Sequence, residues 1–462
     1  MNPSPDPSTS SSGGIVSESL TTVTQSAPSA PQHQSGSESL NTKDMRRILA
    51  SSFIGSAIEY YDFILYATAA SIVFNTVFFA NLSPAFGLFA SFATLAAGYL
   101  ARPLGGIVFG HFGDKVGRKK MLVLSMLLMG ASTVLIGLLP TTAVIGILAP
   151  VLLVTLRVIQ GVAVGGEWGG AALMALESAP QKKRGLATSF ATAGGPAGAV
   201  LATLVVSLTS ALTGDAFLQW GWRIPFLLSA VLIAVGMIIR LKVAETPMFQ
   251  KLQEAGEKKR MPLFDVLRNH PRAVVVALIA TMSFYACQGI LTVWGVSIAV
   301  GNGVDRSGVL NWKAAGAVLT LIMCFYTARL SDRVGRRKVL TVAGITGIVL
   351  AYPLLILLSN GTLWGFAVAI VVGNGIVQGA LFGPIGAYIA EQFPTRMRYT
   401  GASLSYQGAS VLGAGFTPMI ATGLMIAVNG SIWLVGAFWI SVILAGTIAV
   451  RATPEGTKVN LD

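Results

Sequence analysis

Ionisable side chains set inside long apolar stretches are where chemistry is to be sought in this chain: Glu59, Asp62, Arg102, Arg157 and Glu167. A charge held out of water is costly, so one inside an apolar span is by default a candidate for proton handling or ligand contact. Glu59 and Asp62 are three apart and Tyr66 follows Asp62 by four, so on a helix all three share one face. Asp62 lies roughly 22 Å along such a helix from the basic Arg47, which puts it near mid-membrane. In the stretch Arg157–Gly170, Gln160 and Glu167 are seven apart and share a face, with Arg157 offset by under a quarter turn. The chemistry these residues offer is proton coupling. Protonation of Asp62 would release Arg157 and lower the cost of rearranging the two helices; a permanent structural ion pair is the alternative. Glu59 and Arg102, at similar depths, form a possible second pair, and Glu167 serves either coupling or gating, or is a satisfied polar contact.

A second set of residues is suited to holding a small polar solute. The first half offers Tyr66, Gln160 and Trp168; the second offers Tyr285, Gln288 and Thr292 on one stripe, with Trp294 nearby, Asn374 and Gln378 four apart, and Tyr406 with Gln407. Any one of them is as readily an ordinary interhelical hydrogen bond. Together they fit a small polar metabolite, and because arginine grips carboxylates through two parallel hydrogen bonds, an organic anion is expected. The second half is expected to hold no charge at depth, with Arg306 and Lys313, like Arg223 of the first half, placed outside the bilayer.

The elements that must position these residues are membrane helices. Of 462 residues, 53% are hydrophobic and only 11% are charged, against about 25% charged in soluble domains. Apolar stretches long enough to span, about 20 residues each, are expected near 48–74, 86–110, 120–139, 145–176, 186–212, 222–242, 272–300, 313–330, 338–358, 363–390, 400–426 and 430–451. Most of the 32 Lys and Arg residues fall on one side of this layout, which marks that side, and both termini, as cytoplasmic. The net charge of +13 is explained by that orientation against an anionic leaflet rather than by nucleic acid. In helix 4, Gly161, Gly165 and Gly169 form a ridge of small residues that lets a neighbouring helix approach closely.

One basic hinge is written twice, as Gly110-His-Phe-Gly-Asp-Lys-Val-Gly-Arg-Lys-Lys120 and Ala328-Arg-Leu-Ser-Asp-Arg-Val-Gly-Arg-Arg-Lys338. Asp114 answers Asp332, Gly117 answers Gly335, and Arg118 answers Arg336. Two copies on the same face mean two parallel repeats of one folding unit. The expected organisation is a disordered cytoplasmic tail over 1–42, a six-helix bundle over 43–242, a cytoplasmic linker over 243–271, a second six-helix bundle over 272–451, and a short cytoplasmic tail over 452–462.

This hinge resembles the signature loop of the major facilitator superfamily. Further runs resemble its metabolite:proton symporter branch: Glu59–Phe63, Ala101–Gly106, Arg157–Ala171, Glu245–Phe249 and Phe393–Ala402. The resemblance implies an all-α membrane protein of twelve transmembrane helices in two six-helix bundles, with Asp114 contacting the N-terminal end of helix 11 to lock the halves. It also implies transport of organic acids, shikimate-like acids, or zwitterions such as proline and betaine. Gly195-Pro196 resembles a motif of drug:proton antiporters, but Ala191, Ala199 and Val200 replace the other glycines of that motif, which argues against efflux.

No sequence feature calls for a cofactor or a metal. There is no H-E-x-x-H run, and Cys287 and Cys324 sit singly in apolar spans as small buried hydrophobes. Gly373–Gly379 is glycine-rich, but it lies within a span with no strand before it, which excludes a nucleotide loop. The expectation is therefore a monomeric, multi-pass importer of the inner or plasma membrane, not an enzyme, whose partners are lipid, a small metabolite and protons. An uncoupled exchanger or facilitator, and a transporter-like solute sensor, are the alternatives.

Overall fold

A computed structural model describes residues 42–116, 118–165, 176, 183–242, 263–394 and 397–456. The expected linker over 243–271 therefore lies mostly outside the described residues, as do the tail over 1–41 and the last six residues. Described secondary structure is helical throughout. The long helices are α1 (Thr42–Ile72), α2 (Pro84–Val116), α3 (Arg118–Leu138), α4 (Leu148–Val164), α5 (Arg184–Thr213) and α6 (Arg223–Lys242). They continue as α7 (Pro271–Gly301), α8 (Arg306–Val334), α9 (Arg336–Ser359), α10 (Leu363–Ala390), α11 (Arg398–Ala427) and α12 (Trp433–Arg451).

Eight of these, α2, α5 and α7 to α12, are long and apolar enough to cross a membrane, and α3, α4 and α6 contain shorter apolar helices. Their outer faces carry large apolar side chains at helical spacing: Leu201, Leu204, Leu208 and Leu212 on α5, and Val342, Ile345 and Val349 on α9. Apolar stripes of that extent are not left facing water, so they face lipid. The chain is a multi-pass membrane protein.

The repeat in the sequence reappears in the packing. Contacts of α1 with α5, α2 with α4, α3 with α4 and α3 with α6 are echoed by α7 with α11, α8 with α10, α9 with α10 and α9 with α12. Between the halves, α5 lies along α8 and α2 lies along α11. Close approach of α2 to α4 depends on glycine: a Cβ on Gly105 would stand 1.9 Å from the carbonyl oxygen of Val162, and one on Gly161 would stand 2.0 Å from that of Gly98. Gly165 of the same ridge meets α2 as closely; Gly169 lies outside the described residues.

Three helices of the second half widen locally into π-turns, at Gly289–Trp294 in α7, Ala369–Gln378 in α10 and Ser410–Gly415 in α11. Such turns gather where function needs side chains re-aimed. The hinges are tighter than the sequence implies. α2 runs to Val116 and α3 begins at Arg118; α8 runs to Val334 and α9 begins at Arg336. Gly335 alone makes the second turn, with φ at 101°, and an added Cβ would press within 2.7 Å of Glu455 Oε2. That conformation and that crowding both require glycine.

Candidate functional site

Asp62 is buried, with 1% of its surface exposed, and its Oδ1 accepts a hydrogen bond from Ser229 Oγ of α6 at 2.9 Å. Its other oxygen has no partner among the described residues. Arg157 is fully buried, but the direct carboxylate–guanidinium contact expected between these two is not made. Arg157 Nη1 donates to Gln160 Oε1 at 2.5 Å, and Gln160 Nε2 donates to Thr133 Oγ1 at 2.8 Å. Thr133, on α3, stands beside the Asp62 carboxyl. The Thr133 hydroxyl donates to the Met129 carbonyl at 3.0 Å, so a glutamine and a threonine stand between the two charges without an unbroken chain of hydrogen bonds. The reason is packing: the guanidinium lies over the rings of Tyr66 at 4.0 Å and Phe63 at 4.5 Å, and contact with ring faces offsets part of the cost of burying a cation.

Arg102 makes the same choice. It lies over Phe63 at 4.0 Å and Tyr99 at 4.2 Å, and its Nη1 points across to the second half, 3.5 Å from Gln407 Oε1 and 3.4 Å from Ser410 Oγ. The expected pairing with Glu59 is not among its contacts; Glu59 itself is buried. Arg102 is thus a tie between α2 and α11. Glu167 and Trp168 lie outside the described residues.

A cavity lies between the halves, lined by residues of both. Tyr60 and Ile64 of α1 and Gly195, Pro196, Ala199 and Thr203 of α5 line one side. The other side is Phe284, Gln288 and Thr292 of α7, Lys313, Ala317 and Thr320 of α8, and Asn374, Gln378 and Phe382 of α10. Of the residues singled out for solute contact, Gln288, Thr292, Asn374 and Gln378 reach this cavity, and Asn374 and Gln378 are hydrogen-bonded to each other. Tyr66 instead donates to Thr94 Oγ1 at 2.7 Å and lies under Arg157. Gln160 is occupied in the Arg157 link. Gln407 faces Arg102, and Tyr406 bonds to Tyr60 beside Tyr285.

Lys313 corrects the expectation that the second half holds no charge at depth. It is 3% exposed, and its Nζ donates to Thr68 Oγ1 of α1 at 2.7 Å. Helix α8 begins earlier than its apolar residues imply, because Asp305 caps it by accepting from the Gly308 N–H at 2.6 Å. The cap places Lys313 two turns inside the helix. Asp305 ahead of a helix-compatible run was the available signal.

The halves are bridged on both sides of the cavity. At the hinge end, Asp332 accepts from the backbone N–H of Gly185 at 2.9 Å and of Leu186 at 3.0 Å, at the N-terminus of α5. A carboxylate there is favoured by the helix dipole and by the open N–H groups. Arg336 ties this carboxylate, at 2.7 Å, to Glu391 at 3.3 Å. Glu455 in turn accepts from the N–H of Arg336 at 2.8 Å and of Arg337 at 3.1 Å, capping α9. Glu391 lies just beyond α10, and its burial raises its carboxyl above the ordinary value, with Arg336 opposing. Sequence alone gave no partner for either glutamate. The side chains of Asp114 and Arg118, and Gly117 altogether, lie outside the described residues. At the far end, Arg306 of α8 donates to Ser210 Oγ at 2.9 Å and to the Gly214 carbonyl at 3.2 Å, and covers Phe217 at 4.5 Å.

Comparison with known proteins agrees with this architecture. The chain is 40% identical over 441 residues to the inner membrane metabolite transport protein YhjE of Escherichia coli (strain K12), covering 93% of this chain and 98% of that one. It is 42% identical over 393 residues to the shikimate transporter of the same organism, covering 84% and 89%. Its fold matches that of the proton:xylose symporter XylE from E. coli with a TM-score of 0.68 at 19% identity, over 90% of this chain and 97% of that one. The relatives are transport proteins, and this chain is an inner-membrane metabolite transporter rather than an enzyme. Since the sequence profile of the Major Facilitator Superfamily matches residues 52–418 and again 307–460, the chain belongs to that family.

Proposed function

We propose that the protein imports a small polar metabolite, an organic acid anion, by proton symport with alternating access. In this reading twelve helices span the membrane, as two six-helix bundles over 43–242 and 272–451, and both termini are cytoplasmic. The positive-inside bias of Lys and Arg supports that orientation, and the helix pairings shared by the two halves support that division. The hinge end is then the cytoplasmic gate, built on Asp114, Gly117 and Arg118 in one copy and Asp332, Gly335 and Arg336 in the other. The Arg306 clasp closes the outer side.

The observation that carries the proposal is the buried Asp62, bonded to a serine of α6 and set apart from Arg157 by Thr133 and Gln160. A proton taken up by Asp62 alters a polar cluster drawn from α1, α3, α4 and α6, all within the first half. Such a change is able to bias the two states of that bundle. Glu59, Arg102 and Glu167 are the further candidates for coupling. The relative named for shikimate transport supports an organic acid as the solute.

The test is uptake into proteoliposomes with and without an imposed pH gradient. A symporter accumulates solute only with the gradient. Equilibration that ignores the gradient marks a facilitator or exchanger, and binding without uptake marks a sensor; either result overturns the proposal.

A further inference from the structure

Arg102 and Arg157 do not line the cavity, so an anion bound there has to be held by another side chain. Among the described residues, one side chain of the cavity wall carries the positive charge to do it. Among the described residues, Lys313 is the only Lys or Arg in the cavity wall, and its Nζ has one hydrogen-bond partner there, the Thr68 hydroxyl. An ammonium carries three donors, so two remain. No carboxylate lies within ion-pairing distance of it among the described residues. A buried cation without a counter-charge is strongly disfavoured and is retained where function needs it.

Two other polar atoms in the wall are buried without a partner, the Thr203 hydroxyl on α5 and the Asn374 Oδ1 on α10. The first can donate or accept, and the second accepts. We propose that Lys313 is the anion anchor of the cavity, and that the solute is a hydroxylated carboxylate whose acid group meets Lys313 and whose hydroxyls meet Thr203 and Asn374. This inference rests on the transport reading above and specifies its substrate. Bound in this way, the solute ties the first half, through Thr203, to the second, through Lys313 and Asn374, and so joins the surfaces that must move.

The test uses the full-length protein in lipid nanodiscs, with three probes: shikimate, a ring carboxylate bearing hydroxyls, its uncharged methyl ester, and cyclohexanecarboxylate, which lacks the hydroxyls. Wild type is expected to bind shikimate at least about tenfold more tightly than the ester, since a desolvated charge contact is lost. Lys313→Met should bring shikimate down to the level of the ester while the unliganded variant melts no lower than wild type, because an uncompensated buried cation has been removed. Thr203→Val should weaken shikimate and leave cyclohexanecarboxylate unchanged. A folded Lys313→Met protein that still prefers shikimate to its ester, as wild type does, overturns the anchor and leaves the organic-acid reading standing. Wild type that binds acid and ester alike, or neither acid, overturns both, and that comparison does not depend on the variant folding.

Discussion

At the scale of single residues, the separation of Asp62 from Arg157 by Thr133 and Gln160 makes a sharper prediction than a direct ion pair would. In a direct pair, neutralising the carboxylate strands a buried arginine, and the protein loses stability as well as coupling. Here Arg157 leans on Gln160 and on the faces of Phe63 and Tyr66, so Asp62→Asn leaves its supports in place. Asp62→Asn should therefore fold with little loss of melting temperature and still exchange solute across the membrane at equal concentrations, yet fail to accumulate it against a gradient. Counterflow and gradient-driven uptake, measured on the same proteoliposomes, separate the two activities; uphill accumulation at the wild-type level would remove Asp62 from the coupling path. Gln160→Leu tests the Arg157 side. It strips a charge-assisted hydrogen bond worth about 1.5–3 kcal/mol from Arg157, so it should cost stability where Asp62→Asn does not.

At the scale of elements, the contact of α2 with α4 is set by absent side chains. A Cβ on Gly161 would fall 2.0 Å from the Gly98 carbonyl oxygen and 2.9 Å from the Ala101 side chain, and backbone cannot move aside cheaply. Gly161→Ala should cost about 1–3 kcal/mol by overpacking, read as a lower melting temperature, and should reduce transport because Arg157 sits one turn away. This much was written in the sequence: the glycine ridge, the repeated hinge, and the face shared by Glu59, Asp62 and Tyr66 follow from helical spacing. The partners were not. Ser229 and Thr133 are single hydroxyls in apolar helices, and which helix they turn toward is decided by packing between elements. Lys313 was misplaced for a related reason: an aspartate cap, rather than hydropathy, starts α8. The π-turns that aim Thr292, Asn374 and Gln378 leave no mark in a pattern of apolar residues.

The hinge end offers a test at the same scale. Burial raises the Glu391 carboxyl above its ordinary value, so the folded protein holds that proton to a higher pH than the unfolded chain does. Its contribution to stability is then fully present below the unfolded value and is lost as pH rises through the folded one. Glu391→Gln keeps an acceptor for Arg336 without the ionisation. It should melt higher than wild type at pH values above the raised one, and the difference should close as the pH falls below the ordinary carboxylate range. Melting curves across pH check this, and a constant difference at every pH would be inconsistent with it.

For the whole molecule, the two clasps stand at opposite ends of α8, and each holds that helix to α5. Asp332 grips the N-terminus of α5 at the hinge end, while Arg306 grips Ser210 and Gly214 at the other. With both closed, the balance between the two open states depends on which clasp is the weaker. Hydrogen bonds to charged groups contribute about 1.5–3 kcal/mol each, enough to shift a two-state ratio by an order of magnitude or more. Asp332→Asn should therefore move the population toward opening at the hinge end, and Arg306→Met toward opening at the far end. Spin labels placed on α5 and α8 near each clasp report this as opposite changes: the labelled pair beside the altered clasp lengthens while the other pair stays short. If both substitutions lengthened the same pair, the halves would be parting rather than rocking. Because both clasps lie on one pair of helices, the double variant should restore a balance between the two open states that each single variant lacks. A rigid hinge at either end would leave the double variant looking like one of its parents.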